Sequence, residues 1–142
     1  MHLSDADVKF LTDNHGAAMI TVGADGRPKV ARVATALIDG RLWSSGTADR
    51  ARTKRLRRDP RCTLYVYDTQ FSWRGLETDV TILDGPQVPA MSVHLFREMQ
   101  GKPSGPLAWF GAELDEEAFK HRMVEEERVI YEFAIQRIYG LG

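Results

Sequence analysis

The stretch Arg50 to Arg61, RARTKRLRRDPR, places seven basic residues in twelve positions of a chain whose formal net charge is −1. Cations at this density suit a phosphate or a polyanion. With residues 48–58 as a helix, Arg50, Lys54, Arg57 and Arg58 fall on one stripe at i, i+4, i+7 and i+8, and Arg52 and Arg55 lie to its side. Ser44-Ser45-Gly46-Thr47 leads into that helix, whose first backbone N–H groups have no partner within the helix. Hydroxyls, free amides and early arginines together match a phosphate. Bases late in a helix complement its dipole, so Arg57 and Arg58 are expected to be structural. The phosphate ligands expected from the residues are therefore Arg50 and Arg52, with Ser45. The acidic window 113–127 balances the charge, and two surface helices of opposite sign would give the same asymmetry.

Other chemistry is sparse. His2, His15, His94 and His121 are scattered and do not pair with cysteine or carboxylate at metal-ligand spacing, so no metal is expected. Cys62 opens an apolar strand pattern and is expected to be a small buried hydrophobe. No nucleophile elbow, phosphate-binding loop or dinucleotide fingerprint is present, and no catalytic side chain is assigned. An enzyme of this composition needs a cofactor to carry its reaction. A length of 142 residues fits one domain with its own core. No apolar run approaches the ~20 residues of a membrane span, and the early acids of MHLSDADVKF do not make an export signal, so a cytoplasmic place is the expectation. Nucleic acid is disfavoured as a partner, because the net charge is −1 and aromatics do not interleave with the bases.

The positioning elements follow from patterning. Ser4 to Asn14 is helix-like, with Ser4 as the cap. Strands are expected at 17–22, 29–38 and 41–45, joined by Asp25-Gly26 and Asp39-Gly40 turns into an antiparallel meander. Gly46-Thr47 is expected to break the third strand, with Thr47 capping the basic helix, which stops before Asp59-Pro60. Strands follow at 62–67 and 72–83, Gly75 marking a bulge, then a helix at 89–100, a loop at 102–106, a helix at 114–126 and a last strand at 129–135. Trp109 and Phe110 are expected in the core. Six strands with intercalated helices predict a mainly β fold with α additions, a small antiparallel barrel.

The order of these pieces resembles the FMN-binding split-barrel superfamily, the pyridoxamine 5′-phosphate oxidase-like proteins, and within it the branch that uses the deazaflavin coenzyme F420. Asp25-Gly26-Arg27-Pro28, Leu42-Trp43-Ser44-Ser45, the basic stretch 50–61, Ser72-Trp73 and the end from Met123 through Arg128-Val129 to Ile138-Tyr139-Gly140 carry the likeness. The resemblance implies a six-stranded antiparallel split β-barrel with flanking helices, a homodimer, and two cofactors at the subunit interface. It implies that Arg50 and Arg52 hold the cofactor phosphate with Ser45 and its neighbour Ser44. Lys29, Val30 and Arg32 would run beside the tricyclic ring, and Phe71-Ser72-Trp73 of the second subunit would cover it. The chain departs from the pattern at Arg52, where lysine is usual, at Arg55, where asparagine is usual, and at Arg32, where smaller polar residues are frequent. Arginine keeps the charge and changes the geometry of a phosphate contact. Seven bases exceed the need of one phosphate and favour the oligoglutamate tail of F420 over FMN. The implied activity is an F420H2-dependent reduction, hydride passing to a small electron-poor enone, quinone or tetrapyrrole. The alternatives are an FMN-dependent oxidase or reductase and a non-catalytic carrier of a cofactor or haem.

Overall fold

The computed structural model of the chain describes residues 2–142. Ser4 caps helix α1 (Asp5–Asp13), its Oγ accepting from the Asp7 N–H at 3.1 Å, and α1 turns Phe10 and Leu11 into the core. Strands β1 (Gly16–Val22), β2 (Pro28–Ile38) and β3 (Arg41–Thr47) form the expected meander. Its second turn has positive φ at both Asp39 (51°) and Gly40 (79°), the conformation that matches strand twist in a two-residue hairpin. Helix α2 (Ala51–Arg58) leads to β4 (Arg61–Tyr67) and β5 (Trp73–Leu83). Helix α3 (Val88–Gln100), a short hairpin β6 (Leu107–Trp109) and β7 (Ala112–Leu114), and helix α4 (Glu116–Glu125) precede the long β8 (Arg128–Leu141). Six strands close into an antiparallel barrel in the order β1-β2-β3-β8-β5-β4, mainly β with flanking helices.

Alternation sets the barrel interior, where Met19, Val33, Leu42, Leu64, Val66, Leu76 and Phe133 meet. Closing the sheet leaves its ends to be covered. Leu56 of α2 joins this core. Helix α3 packs outside, placing Val88 and Leu95 against Ala36, Trp43 and Ile130. A third cluster of Val93, Leu107, Trp109, Phe119 and Met123 ties α3 and α4 to the β6–β7 hairpin. Among the described residues, no helix is long and apolar enough to cross a membrane.

Several local expectations are corrected. Strand β3 does not break at Gly46 but runs to Thr47. Glycine is needed there because a Cβ would fall on the Tyr131 hydroxyl. The cap of α2 is Arg50, not Thr47, whose hydroxyl instead donates to the Asp49 carboxylate at 2.8 Å. The bulge is not at Gly75. The register shifts at Glu77/Thr78 opposite Arg137 and Ile135, which leaves Gln136 of β8 as the extra residue. Gly75 serves a different need, since a Cβ there would come within 2.6 Å of the Tyr139 ring. Strand β8 continues beyond Ile135 to Leu141, and a hairpin occupies 107–114, between the expected loop and helix, with Leu114 in its second strand and not in α4. Trp109 is buried as expected, whereas Phe110 is 86% exposed.

Candidate functional site

Helix α2 lies across one end of the barrel. Thr53 fixes its first turn: the hydroxyl donates to the Thr47 carbonyl at 2.7 Å and accepts from the buried Tyr131 hydroxyl. Arg55 Nε donates to Thr21 Oγ1 at 2.9 Å and Arg58 Nη2 to the Val22 carbonyl at 2.8 Å, so two bases bind the helix to the end of β1. Lys29 is the ladder partner of Thr21, which brings it to the same end, where its Nζ reaches Asp25 at 3.3 Å. Arg57 pairs with Asp84 at 3.1 Å. Arg61 grips Asp59 through Nε at 3.0 Å and Nη2 at 2.8 Å. These hydrogen bonds, from the Arg61 side chain first and its backbone N–H second, hold the Asp59 carboxyl down at about 2.

Four of the seven bases are thus committed within the chain. The other three, Arg50, Arg52 and Lys54, make no side-chain hydrogen bond or ion pair among the described residues. Arg52 is the informative one. It is half-buried, its guanidinium carbon lies 5.9 Å from the Tyr131 ring centre, and its Nε is enclosed without an acceptor. An enclosed charged donor left unmatched is costly, so its natural complement is an anion. The N-cap side chain of Arg50 makes no capping bond either, and the first-turn amides of Ala51, Arg52 and Thr53 remain available. The residues present therefore fit a phosphate at the start of α2.

The two serines part company. Ser44 points into the barrel, 1% exposed, and donates to the Ala34 carbonyl at 2.7 Å. Ser45 points outward, and its Oγ is enclosed without a partner. It faces a cleft of about 110 Å³ shared with Ala34, Phe96, Met99, Trp109, Phe110 and Arg128, and makes no hydrogen bond to Arg50 or Arg52.

On β2, Lys29 and its inward neighbours alternate with Val30 and Arg32, which face out, Val30 being 70% exposed. Trp73 lies on the outer face of β5, in an aromatic group with Tyr65 (5.8 Å between ring centres) and Tyr139 (6.1 Å). Register carries one outward row through Arg32, Ala18, Tyr65, Gly75 and Tyr139. Val30, Arg32 and Trp73 share this outer face, but β1 and β4 stand between β2 and β5. Three strand spacings put the backbones at Arg32 and Trp73 about 14 Å apart, so the two do not stack on one another within a chain.

Cys62 is buried, and that burial pushes its thiol up to about 12, so it does not serve as a nucleophile near neutral pH. Three contributors escaped the sequence. Thr21 gave no signal, and Arg55 was visible only as one base of the stretch, because their meeting depends on how α2 crosses β1. Arg128 is drawn in by Glu126, which accepts from it at 2.8 Å and from Trp109 Nε1 at 3.0 Å.

Known proteins of the same shape were found among solved structures. A conserved hypothetical protein from Mycobacterium tuberculosis aligns with a TM-score of 0.73 at 24% identity, over 99% of this chain and 85% of the other. A protein described as an F420 reductase aligns with a TM-score of 0.70 at 18% identity, over 96% and 98%. A haem-binding protein from Mycobacterium smegmatis aligns with a TM-score of 0.67 at 12% identity, over all of this chain and 55% of that one. No curated protein matches the sequence. At these identities the structures establish the fold, the six-stranded barrel described above. The family model described as pyridoxamine 5′-phosphate oxidase matches residues 3–142, nearly the whole length, and the chain belongs to that family.

Proposed function

We propose that the protein is a deazaflavin-dependent reductase that uses F420H2 to reduce a small electron-poor organic substrate. The observation that carries this reading is the partition of the basic stretch. Arg55, Arg57, Arg58 and Arg61 are consumed inside the chain, while Arg50, Arg52 and Lys54 are left over around open helix amides, with the Arg52 Nε enclosed. The solved F420 reductase of the same fold is in keeping with it.

When bound, the reduced deazaflavin would supply a hydride from its C5. Arg50, Arg52 and the first-turn amides of α2 neutralise and orient the phosphate. Lys54 and Lys29, on the same end of the molecule, attract the carboxylates of the tail over a longer range. Val30 and Arg32 offer a flat outer strand beside which a ring lies, and Arg32 places a cation there. The aromatic group around Trp73 covers the ring from a second copy of the chain, because within one chain it lies about 14 Å from Arg32. The chain's contribution to the reaction is orientation and exclusion of water.

One phosphate requires only Arg50, Arg52 and the helix amides, so FMN is the second reading. Lys54 and Lys29 in excess of that need favour the tailed cofactor. The test is a paired fluorescence titration of cofactor-free protein with F420 and with FMN. Tighter binding of F420, weakened by added salt, supports the proposal. Preference for FMN moves the chemistry to a flavin on the same barrel, and affinity for haem alone makes the protein a carrier.

A further inference from the structure

The β6–β7 hairpin turns through Phe110 and Gly111, with φ of 46° and 84°. Two successive positive φ values define the tight hairpin turn that asparagine-glycine fills without strain. Phenylalanine at the first position is a true outlier, since a bulky side chain in the left-handed region is disfavoured. The ring recovers nothing from the core, being 86% exposed. It stands edge-on to Trp109, with 5.0 Å between centres. The surroundings hold the turn in place. Gln100 brackets Ala108 with two hydrogen bonds of 2.9 Å, and Trp109 Nε1 is fastened to Glu126 at 3.0 Å.

The same cleft contains two unmatched polar groups. The Ser45 Oγ is enclosed and without a partner, though it lines the cleft. Arg128, its side chain 9% exposed, gives Nε and Nη2 to Glu126 and lies 4.7 Å over the Trp109 ring, which leaves Nη1 without a partner among the described residues. Phe96, Met99, Trp109 and Phe110 supply apolar walls. A strained exposed aromatic, an orphaned hydroxyl and a spare guanidinium N–H converge on about 110 Å³. A closed apolar cavity of about 150 Å³ takes benzene, so this smaller, solvent-open cleft seats one ring with an edge in water and has no room for a tricycle.

We propose that this cleft is a binding site for a single planar ring bearing a carboxylate or carbonyl oxygen. The oxygen accepts from Ser45 Oγ and Arg128 Nη1, and the ring packs against the apolar wall of Phe96, Met99 and Phe110. The site does not depend on which cofactor the protein uses. Ala34, which floors the cleft, follows Arg32 by two residues on the outer face of β2, so a substrate ring held here borders the strip proposed above for the cofactor.

The test uses cofactor-free protein and benzoate as the probe, with cyclohexanecarboxylate as the non-planar control, followed through the indole N–H resonance of Trp109. Saturable benzoate binding is expected with a dissociation constant of about 1 mM, as suits a fragment of this size, and weaker binding of the control. Ser45→Ala should weaken benzoate about fivefold, the loss of one hydrogen bond. Phe110→Asn, which suits the turn and preserves the hairpin, should weaken it further, and Phe110→Trp should retain it. A linear, non-saturating response, or equal affinity in the wild type and both weakening variants, overturns the proposal. Failure of F420 to bind leaves this result unaffected, so the two readings fail separately.

Discussion

Within a single helix, Arg52 is left without a partner among the described residues and Arg57 is used up. The Arg52 Nε is enclosed without an acceptor, whereas Arg57, five residues later, is spent on Asp84 at 3.1 Å. Arg52→Ala should weaken F420 binding by about 1.5–3 kcal/mol, the range of a charge-assisted hydrogen bond. Arg57→Ala should change it far less, since its partner is exposed and within the chain. Without cofactor, Arg52→Ala should leave the melting temperature unchanged or slightly raised, because it removes an unmatched donor. Fluorescence titration and thermal denaturation check both arms, and equal loss of affinity in the two variants would mean diffuse attraction in place of a phosphate site. Cys62 makes a second residue-scale expectation. With its thiol held at about 12 by burial, it should not react with a disulfide reagent at pH 8 while folded, and should react at once in denaturant.

At the scale of elements, α2 is closed by Asp59 and Arg61. The Asp59 carboxyl sits at about 2 in the folded protein, below the 3.8 of a free aspartate, so it binds its proton more weakly folded than unfolded. Its contribution to stability is therefore complete above about pH 4 and is lost as pH falls through about 2. The contribution is small because the pair is open to water. Thermal melts between pH 5 and 2 should show a shallower acid decline in Asp59→Asn than in the wild type. The end of α2 was legible in the sequence because proline forbids continuation and the Asp-Gly turns dictate hairpins. Its start was not, because the glycine that looked like a break is a packing requirement set by Tyr131, 85 residues away in the chain. Strand β8 ran past its apparent end for a related reason. Its extra residue at Gln136 flips the alternation, so the pattern beyond Ile135 ceased to read as one strand. Of the site, the basic helix and its early arginines were visible from types and spacing. The opposed directions of Ser44 and Ser45 follow from alternation only once the limits of β3 are known. The hairpin at 107–114 was hidden because its turn uses phenylalanine where asparagine would have announced it.

For the whole molecule, the outer face of β1, β2, β4, β5 and β8, with the β4–β5 loop, is where large apolar side chains stay exposed. Val30 is 70% exposed, Phe71 88% and Leu141 60%, with Tyr65, Tyr67 and Tyr139 each near 40%. Apolar and aromatic groups gather on this face beside Arg32, Glu77 and Arg137, and such clustering marks an interaction surface more than a solvated one. The same face separates Arg32 from Trp73 by about 14 Å. On the proposed reading, a second copy turned about a two-fold axis would bring the Trp73 group of one chain to the β2 strip of the other, covering the face and completing the ring site together. Light scattering at micromolar concentration should therefore return twice the 16.0 kDa of the chain. Tyr67→Glu with Leu141→Glu should drive the protein to monomer by placing charges in a desolvated interface. Affinity for F420 should fall in that variant although Arg50 and Arg52 are intact, and its isolated barrel should still melt cooperatively. A wild type that scatters as a monomer, or a monomeric variant with undiminished affinity, would confine the cofactor site to one chain and remove Trp73 from it.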